Sequence, residues 1–435
     1  MEISKLYELY KQHPGISTDS RSVKKNSIFF ALKGENFDGN NFAENALKRG
    51  AAWAVIDKSG IKADRRFIIV KDSLSTLQSL ANYHRKMCST KLLAITGSNG
   101  KTTTKELIRK VLSGKYSVFA TQGNLNNHIG VPLTLLSMPP DTQIGIIEMG
   151  ANHHGEIKQL CAITEPDYGL VTNIGKAHLE GFGNIEDIAR AKAELFEYLK
   201  NNNGTIFGNA GNSFVNAVIP ENHNNKVLYG IENSICWGKS LASDPFLKLI
   251  LFMSDDPNGV EINTNLFGRY NLENVIAAAA LGHFFNISKS IIKQAIESYF
   301  PEDNRSQLIE AKSNSIYLDA YNANPTSMRA AIDNFIELNV ESKFFILGEM
   351  LEVGNTAEKE HRSLLKFLKE KSIKNVLCVG KGFYKHADKY GYKYFSNVDE
   401  LAKVLKINKI RNANILIKGS RANQLEKLVP YLQVM

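Results

Sequence analysis

The chain has 435 residues, of which 43% are hydrophobic and 22% charged, a balance typical of a globular protein with two to four domains. Lysine and arginine outnumber aspartate and glutamate by 53 to 44. These basic residues are spread along the chain without the aromatic–basic motifs of RNA-binding folds, so we expect no nucleic-acid partner. No apolar run is long enough to span a membrane. Four scattered cysteines exclude a disulfide framework or zinc site, and we expect a cytoplasmic protein because no signal-like segment opens the chain.

Short strands and helical segments alternate along the whole chain. Strands are predicted at 27–32, 52–56 and 66–70, then at 144–148 and 169–172, and finally at 316–319, 344–348, 376–380 and 415–419. Alternation of this kind favours parallel sheets covered by helices. We therefore predict an α/β fold with three domains, at residues 1–85, 86–301 and 302–435.

A glycine-rich loop at 96–103 joins an apolar strand to a helical segment. Backbone N–H groups around Gly97 and Gly100 can surround phosphate oxygens, while Lys101 reaches the outer phosphates and the Thr102 hydroxyl can bind Mg²⁺. The usual phosphate loop has a further glycine where this chain has Ile95. The alternative is a glycine turn that only caps a helix, but the flanking strand and helix favour a nucleotide site.

Polar side chains follow the next predicted strands. Glu148 ends the strand at 144–148, His178 follows the strand at 169–172, and Lys192 lies on a later helix. Functional groups collect at the carboxyl ends of parallel strands, so these residues can meet the phosphate loop. Each alone could be a solvated strand end, a loop histidine or a surface lysine. Their joint position favours a metal site.

These motifs resemble those of the Mur ligase family, which forms amide bonds in peptidoglycan precursors with ATP. The family loop reads T-G-[ST]-x-G-K-[ST]-[ST] and matches 96–103, so the absent glycine is a family trait. The resemblance implies ATP and Mg²⁺, a central P-loop ATPase-like parallel sheet and a carboxy-terminal Rossmann-like domain. It implies three catalytic residues, Lys101, His178 and Lys192. It also implies two Mg²⁺ ions, one at Thr102 and the γ-phosphate and the other held by Glu148, His178 and a carbamylated Lys192.

The family's adenine motif, G-x-H-N-x-x-N, appears here with Tyr270 in place of the histidine. Asn271 and Asn274 remain; a helix start with capping asparagines would look the same. The resemblance implies that the nucleotide is held by Gly97, Ser98, Asn99, Gly100, Lys101, Thr102, Thr103, Asn271, Asn274, Arg305 and Asp319.

The block at 318–328 is similar to the family member that adds D-alanyl-D-alanine to UDP-N-acetylmuramoyl-tripeptide. Segments 18–21, 29–34, 348–354 and 418–421, with His361, resemble further blocks of that enzyme. The resemblance implies an acyl-phosphate intermediate, a monomer, and substrate contacts by Ser20, Arg21, Asn126, Asn127, Tyr321, Asn322, Asn324 and Ser327.

Two alternatives stay open at this point. A sister ligase that adds glutamate to folate would share the phosphate loop and Lys192 but should lack the block at 321–325. A non-catalytic protein that uses ATP as a switching ligand has no reason to keep Glu148, His178 and Lys192 together.

Overall fold

The computed structural model describes residues 1–58, 64–302 and 304–433. The amino-terminal domain is built on a parallel sheet of order β1-β2-β5-β6, whose apolar strands are buried beneath helices. A small antiparallel hairpin, β3 with β4, follows β2. The elements are α1 (Ile3–Gln12), β1 (Gly15–Ser17), β2 (Ser27–Phe30), β3 (Lys33–Gly34), β4 (Phe37–Asp38), α2 (Ala43–Lys48), β5 (Trp53–Ile56), β6 (Phe67–Ile69) and α3 (Ser73–Met87).

The middle domain contains a six-stranded parallel sheet of order β12-β11-β10-β7-β9-β8. The central strand β7 is buried from Leu92 to Thr96 and runs directly into the glycine loop. Its elements are β7 (Lys91–Thr96), α4 (Lys101–Leu112), β8 (Val118–Ala120), α5 (Gly130–Leu136), β9 (Ile144–Glu148), α6 (Glu156–Thr164), β10 (Tyr168–Val171), α7 (Leu179–Phe182), α8 (Ile185–Asn201), β11 (Thr205–Asn209), α9 (Ser213–Asn216) and β12 (Lys226–Tyr229).

A second, antiparallel sheet of order β13-β14-β15 completes this domain. Helix α10, almost entirely apolar after its first turn, is buried between this sheet and α4, the helix that follows the glycine loop. This packing fixes the start of α10 beside the start of α4. The elements are β13 (Cys236–Ser243), β14 (Phe246–Met253), β15 (Asp256–Phe267), α10 (Leu272–Phe284) and α11 (Lys289–Glu297).

The carboxy-terminal domain has a sheet of order β16-β17-β21-β18-β19-β20 that is parallel except for the edge strand β16. The carboxyl ends of β17, β18 and β21 face the middle domain. The elements are β16 (Gln307–Glu310), β17 (Asn314–Asp319), α12 (Pro325–Glu337), β18 (Lys343–Gly348), α13 (Ala357–Glu370), β19 (Val376–Val379), β20 (Lys393–Phe395), α14 (Val398–Ile407), β21 (Ala413–Lys418) and α15 (Val429–Leu432).

The predicted three-domain α/β architecture is confirmed. The strand predicted at 144–148 has those limits in the structure, and the four strands predicted after residue 302 are present as β17, β18, β19 and β21. The antiparallel sheet of the middle domain and the edge strand β16 were not predicted. Within the described residues, no helix has the length and apolarity required to cross a bilayer.

Candidate active site

A cleft of about 720 Å³ lies between the middle and carboxy-terminal domains. It brings together most residues that the sequence singled out: Ser98, Asn99, Gly100, Lys101, Thr102, Thr103, Asn126, Asn127, Glu148, His178, Asn271, Asn274, Arg305, Asp319, Tyr321, Asn322 and Ser327 all line it. Three other predicted site residues, Gly97, Lys192 and Asn324, are not among the residues that line the cleft. Ser20 and Arg21 are in the amino-terminal domain and do not line the cleft. Most of the expected nucleotide and metal residues therefore line one cavity, whereas Ser20 and Arg21, two of the expected substrate residues, do not.

The glycine loop takes a shape that requires glycine at two positions. Gly97 and Gly100 have φ angles of 143° and 76°, in the region that favours glycine. A Cβ on Gly97 would lie 2.0 Å from the Thr172 hydroxyl oxygen, and one on Gly100 would lie 2.6 Å from Asn274 Oδ1. The loop is further held where Asn99 N–H donates to Asn173 Oδ1 at 2.9 Å. The turn is thus fixed before any ligand binds.

Lys101 is the first residue of α4. Its Nζ donates to the carbonyl oxygen of Gly97 at 2.7 Å, so the side chain folds back over the loop. Burial lowers the pKa of Lys101, and the Arg305 guanidinium also lowers it, whereas Glu148 and Glu352 raise it. A phosphate group in the loop would supply the anion that this ammonium lacks.

Glu148, at the end of β9, is 2% exposed and is the most enclosed carboxylate of the site. Thr102 Oγ1 donates to its Oε2 at 2.9 Å, and Asn126 Nδ2 donates to its Oε1 at 2.9 Å. The Lys105 ammonium, itself 1% exposed, lies 3.8 Å from Oε2. Lys105 was not predicted, because a lysine one helical turn after Lys101 is indistinguishable in sequence from a solvated one.

Lys192, on α8, is 1% exposed, and its Nζ has no hydrogen-bond partner in the described part of the chain. The Phe182 ring packs near this amine, with its centroid 5.6 Å from Nζ. Burial, with a contribution from the Lys101 charge, lowers the pKa of Lys192 to about 7. A neutral, buried and unpartnered amine is the form that reacts with CO₂.

These residues fit a magnesium site only if Lys192 becomes a carbamate. Among the described residues, no three His, Cys, Asp or Glu side chains converge as a metal site. Thr102 and Glu148 supply hard oxygen donors, and His178 lines the same cleft. A carbamate on Lys192 would add two oxygen donors to this set and would replace the buried amine that has no hydrogen-bond partner in the described part of the chain. The donor set is then compatible with Mg²⁺.

The asparagines expected at the adenine are hydrogen-bonded within the protein. Asn271 Nδ2 donates to the Phe267 carbonyl at 2.8 Å, and Asn274 Nδ2 donates to Asn271 Oδ1 at 2.8 Å. Thr104 Oγ1 donates to Asn274 Oδ1 at 3.0 Å, which ties α10 to α4. Neither asparagine side chain caps the N–H groups at the start of α10. Their positions at the cleft are as expected; their role toward the base stays a prediction.

Tyr270 and the carboxy-terminal domain form the opposite wall. The Tyr270 hydroxyl is hydrogen-bonded to Ser306 Oγ at 3.0 Å, across the domain boundary. Asp319, at the end of β17, accepts from Lys418 Nζ at 2.6 Å and from Ser306 N–H at 3.3 Å. The Arg305 guanidinium stacks 3.4 Å above the centre of the Tyr321 ring. These contacts place one cation and one anchored carboxylate opposite the glycine loop.

The start of α12 contacts the glycine loop directly. Asn324 and Ser327 form a capping box, in which each side-chain oxygen accepts from the other residue's backbone N–H. Asn324 Nδ2 also donates to Asn99 Oδ1 at 2.7 Å. Asn322 Nδ2 donates to Glu352 Oε2 at 3.2 Å. Asn324 and Ser327 are thus both engaged in structural contacts, although Ser327, like Asn322, also lines the cleft.

Three predicted substrate residues remain, Asn127, Ser20 and Arg21, and two of them make hydrogen bonds to neighbouring residues. Asn127 Oδ1 accepts from the N–H groups of Ile129 and Gly130 and so stabilises the start of α5. In the amino-terminal domain, the exposed Arg21 guanidinium makes a two-pronged pair with Asp19, and the Arg21 guanidinium holds the pKa of Asp19 near 2. Ser20 beside them is buried.

Glu352 is the cleft residue that sequence reasoning missed most clearly. It follows β18, its Oε2 lies 3.0 Å from His178 Nδ1, and the His178 and Lys101 charges help to lower its pKa. The block at 348–354 was recognised in the sequence, but nothing there indicated which of its residues crosses to the middle domain. Lys418 was likewise within a recognised block and was not singled out.

A phosphate loop on a parallel sheet, closed by a second α/β domain that brings its own charged residues, defines a nucleotide-dependent enzyme with a two-domain active site. Three segments match families described as "Mur ligase family, catalytic domain" (residues 13–85), "Mur ligase middle domain" (95–282) and "Mur ligase, glutamate ligase domain" (304–421). The chain belongs to the Mur ligase family.

Relatives cover nearly the whole chain. The UDP-N-acetylmuramoyl-tripeptide–D-alanyl-D-alanine ligase of Bacillus subtilis is 34% identical over 95% of this chain and 92% of its own. A crystal structure of MurF from Acinetobacter baumannii superposes with a TM-score of 0.87 at 28% identity, with 98% of each chain covered. The crystal structure of MurF ligase from Thermotoga maritima in complex with ADP superposes with a TM-score of 0.85 at 26% identity, again with 98% of each chain covered.

Proposed function

We propose that the chain joins D-alanyl-D-alanine to UDP-N-acetylmuramoyl-tripeptide with ATP, releasing ADP and phosphate and giving the UDP-N-acetylmuramoyl-pentapeptide. The observation that carries this proposal is the single cleft in which the glycine loop and the block at 321–325 face each other. The full-length similarity to ligases of that name supports the substrate assignment. We also propose the domain limits 1–85, 86–301 and 302–435, a cytoplasmic location and a monomeric state.

In the first step, a carboxylate oxygen of the tripeptide attacks the γ-phosphorus, and the bond to the ADP oxygen breaks. The product is an acyl phosphate. Two anions must approach each other, so the site has to offset their repulsion. Lys101, the backbone N–H groups of the glycine loop and Arg305 are the positive groups that face this position.

In the second step, the neutral amine of the dipeptide attacks the acyl carbon. The tetrahedral intermediate collapses as the bond from the acyl carbon to the phosphate oxygen breaks, and the proton lost by the nitrogen leaves with the phosphate. The acyl phosphate would be lost to water in an open site. Contacts between Asn324 and Asn99 and between Tyr270 and Ser306 hold the two domains together around it. Asn322 and Ser327 face the cleft where they can orient the dipeptide.

Mg²⁺, when bound, would neutralise phosphate charge and stabilise the developing negative charge of phosphoryl transfer. Two ions are proposed: Thr102 would help to hold one, and Glu148, His178 and a carbamylated Lys192 would hold the other. The Asn126 amide and the Lys105 ammonium fix the Glu148 carboxylate in place.

An ADP-release assay with UDP-N-acetylmuramoyl-tripeptide, with and without D-alanyl-D-alanine, tests the proposal. We expect sustained turnover only with the dipeptide. Turnover with glutamate and a folate instead, or ATP binding without any turnover, would favour the two alternatives considered above.

Lys101→Ala should abolish this turnover with little effect on the unfolding temperature, since within the described residues the Lys101 ammonium donates hydrogen bonds only to carbonyl groups of its own loop. Lys158→Ala, an exposed lysine of the same domain, is the control and should stay active. Ligation by the Lys101 variant would contradict the mechanism.

A further inference from the structure

Five carboxylates line the cleft, and four of them have other partners. Glu148 bonds to Thr102 and Asn126, and Asp319 to Lys418. Glu156 accepts from the N–H groups of Asn152 and His153, and Glu273 accepts from the Asn212 amide. Each of these four carboxylates therefore stabilises a local contact within the protein.

Glu352 differs from those four. Its side chain is 39% exposed, into the cleft that it lines. One oxygen, Oε2, meets His178 and Asn322, while Oε1 has no hydrogen-bond partner in the described part of the chain. A carboxylate oxygen with free acceptor positions in an enclosed site can take a cationic ligand.

Glu352 is near residues that we propose to act on each of the two reactants, the phosphate and the dipeptide. Its charge interacts with that of Lys101, which the mechanism places at the transferred phosphate. Its other neighbour, Asn322, belongs to the block at 321–325 that faces the dipeptide. Glu352 thus lines the same cleft as Lys101 and contacts a residue that is proposed to orient the dipeptide, whose amine must arrive in this cleft.

The incoming amine is a cation when it enters from water, because an α-amino group has a pKa of about 8. Moving an ammonium group from water into a closed cleft that already holds Lys101, Arg305 and Lys418 is costly without a counter-charge. We propose that Glu352 binds the α-ammonium group of the incoming dipeptide and so selects an amine substrate. This inference rests on the proposed function.

The competing explanation is structural, since Glu352 also links the domains through His178. Glu360 offers a matched control: its Oε1 pairs with Lys176 Nζ at 3.2 Å across the same two domains, but Glu360 does not line the cleft. Glu352→Gln and Glu360→Gln each remove one negative charge and alter one contact between the two domains.

The test is steady-state kinetics of the full-length wild type and both variants. For Glu352→Gln we expect the KM for D-alanyl-D-alanine to rise about tenfold or more, as for loss of a hydrogen bond to a charged group, with the KM for ATP and for the tripeptide nearly unchanged. Glu360→Gln should leave the dipeptide KM near the wild-type value. An unchanged dipeptide KM in Glu352→Gln, or equal increases for all three substrates, overturns the inference.

A second measurement uses the dipeptide analogue with a hydroxyl in place of its ammonium group, as an inhibitor. Wild type should bind it at least about tenfold more weakly than the dipeptide, and Glu352→Gln should bind it as wild type does. A tenfold loss of analogue binding in the variant contradicts ammonium recognition. Wild type without dipeptide-dependent turnover would overturn the proposed function as well, whereas normal wild-type turnover with an unaffected variant overturns this inference alone.

Discussion

At the scale of single residues, the site is marked by polar groups that the protein leaves incompletely paired. Lys192 is the clearest example, because its amine is buried without a hydrogen bond and its pKa falls to about 7. An isolated buried charge is unfavourable, so the ordinary ammonium form gives no stability here. A carbamate would turn this cation into an anion with acceptor oxygens.

Lys192→Ala should therefore abolish ligation, because it removes the amine whose carbamate we propose as a ligand of the metal site. Short carboxylic acids such as acetate or propionate should restore part of the activity by placing a carboxylate in the vacated space. Lys200→Ala, an exposed lysine on the same helix, should neither lose activity nor respond to the acids. Absence of rescue in a folded Lys192→Ala protein would count against the carbamate.

At the scale of elements, the loop between β18 and α13 is held by one buried histidine. His361 Nε2 accepts from Met350 N–H at 3.0 Å, and Nδ1 donates to the Ala357 carbonyl at 2.7 Å, which requires the neutral ring with the proton on Nδ1. Burial lowers the pKa of His361. This histidine fixes the loop that carries Glu352, so it acts through loop position and not through contact with the reactants.

A pH dependence of stability follows from that pKa. Below about 6.5 the unfolded chain protonates this histidine more readily than the folded protein does, so the free energy of unfolding should fall as the pH decreases through this range. His361→Gln, whose side chain can still accept from Met350 N–H, should have a lower unfolding temperature than wild type at every pH. Its unfolding temperature should, however, fall less steeply than that of wild type from about pH 6.5 to 5. Thermal unfolding at stepped pH measures both curves; parallel curves would contradict the assignment. His84, whose pKa is also lowered, contributes equally to both proteins.

The sequence was sufficient for elements whose signal is local. Strand β9 and its terminal Glu148 were predicted because a continuous apolar run ends at a carboxylate, and the glycine loop because its spacing is specific. The strands β13 and β15 were missed because lysine, serine and asparagine interrupt their apolar residues. Contacts such as Glu352 with His178 join segments about 170 residues apart, and no local pattern encodes them.

At the scale of the whole molecule, Asn334 links the carboxy-terminal domain to the antiparallel sheet of the middle domain. Its Oδ1 accepts from Arg269 N–H at 2.8 Å and from Ser243 Oγ at 3.2 Å. Arg269 lies directly before Tyr270 and the start of α10. A single side chain on α12 therefore connects the domain that closes the cleft with the segment expected at the nucleotide base.

Asn334→Leu should loosen this connection, since two hydrogen bonds worth about 1 kcal/mol each are lost while the branched arrangement of side-chain heavy atoms is kept. We expect a larger radius of gyration by small-angle X-ray scattering in the absence of ligands and a higher KM for ATP. Asn375→Leu, which removes a hydrogen bond within the carboxy-terminal domain only, is the control. Identical scattering from the Asn334 variant and wild type would show that this contact does not hold the domains together.

The bond between Asn324 and Asn99 has a consequence for closure itself. It brings the amino-terminal ends of α4 and α12, helices of 12 and 13 residues, to the same place. Each of these ends carries about half a positive charge from the aligned peptide dipoles, so the two helix ends repel each other across an empty cleft. A triphosphate bound at the glycine loop, as proposed above, would reverse the sign of this interaction, because both helix ends would then face the same anion. We therefore expect arrival of the nucleotide to favour the closed arrangement and loss of its phosphates to favour opening.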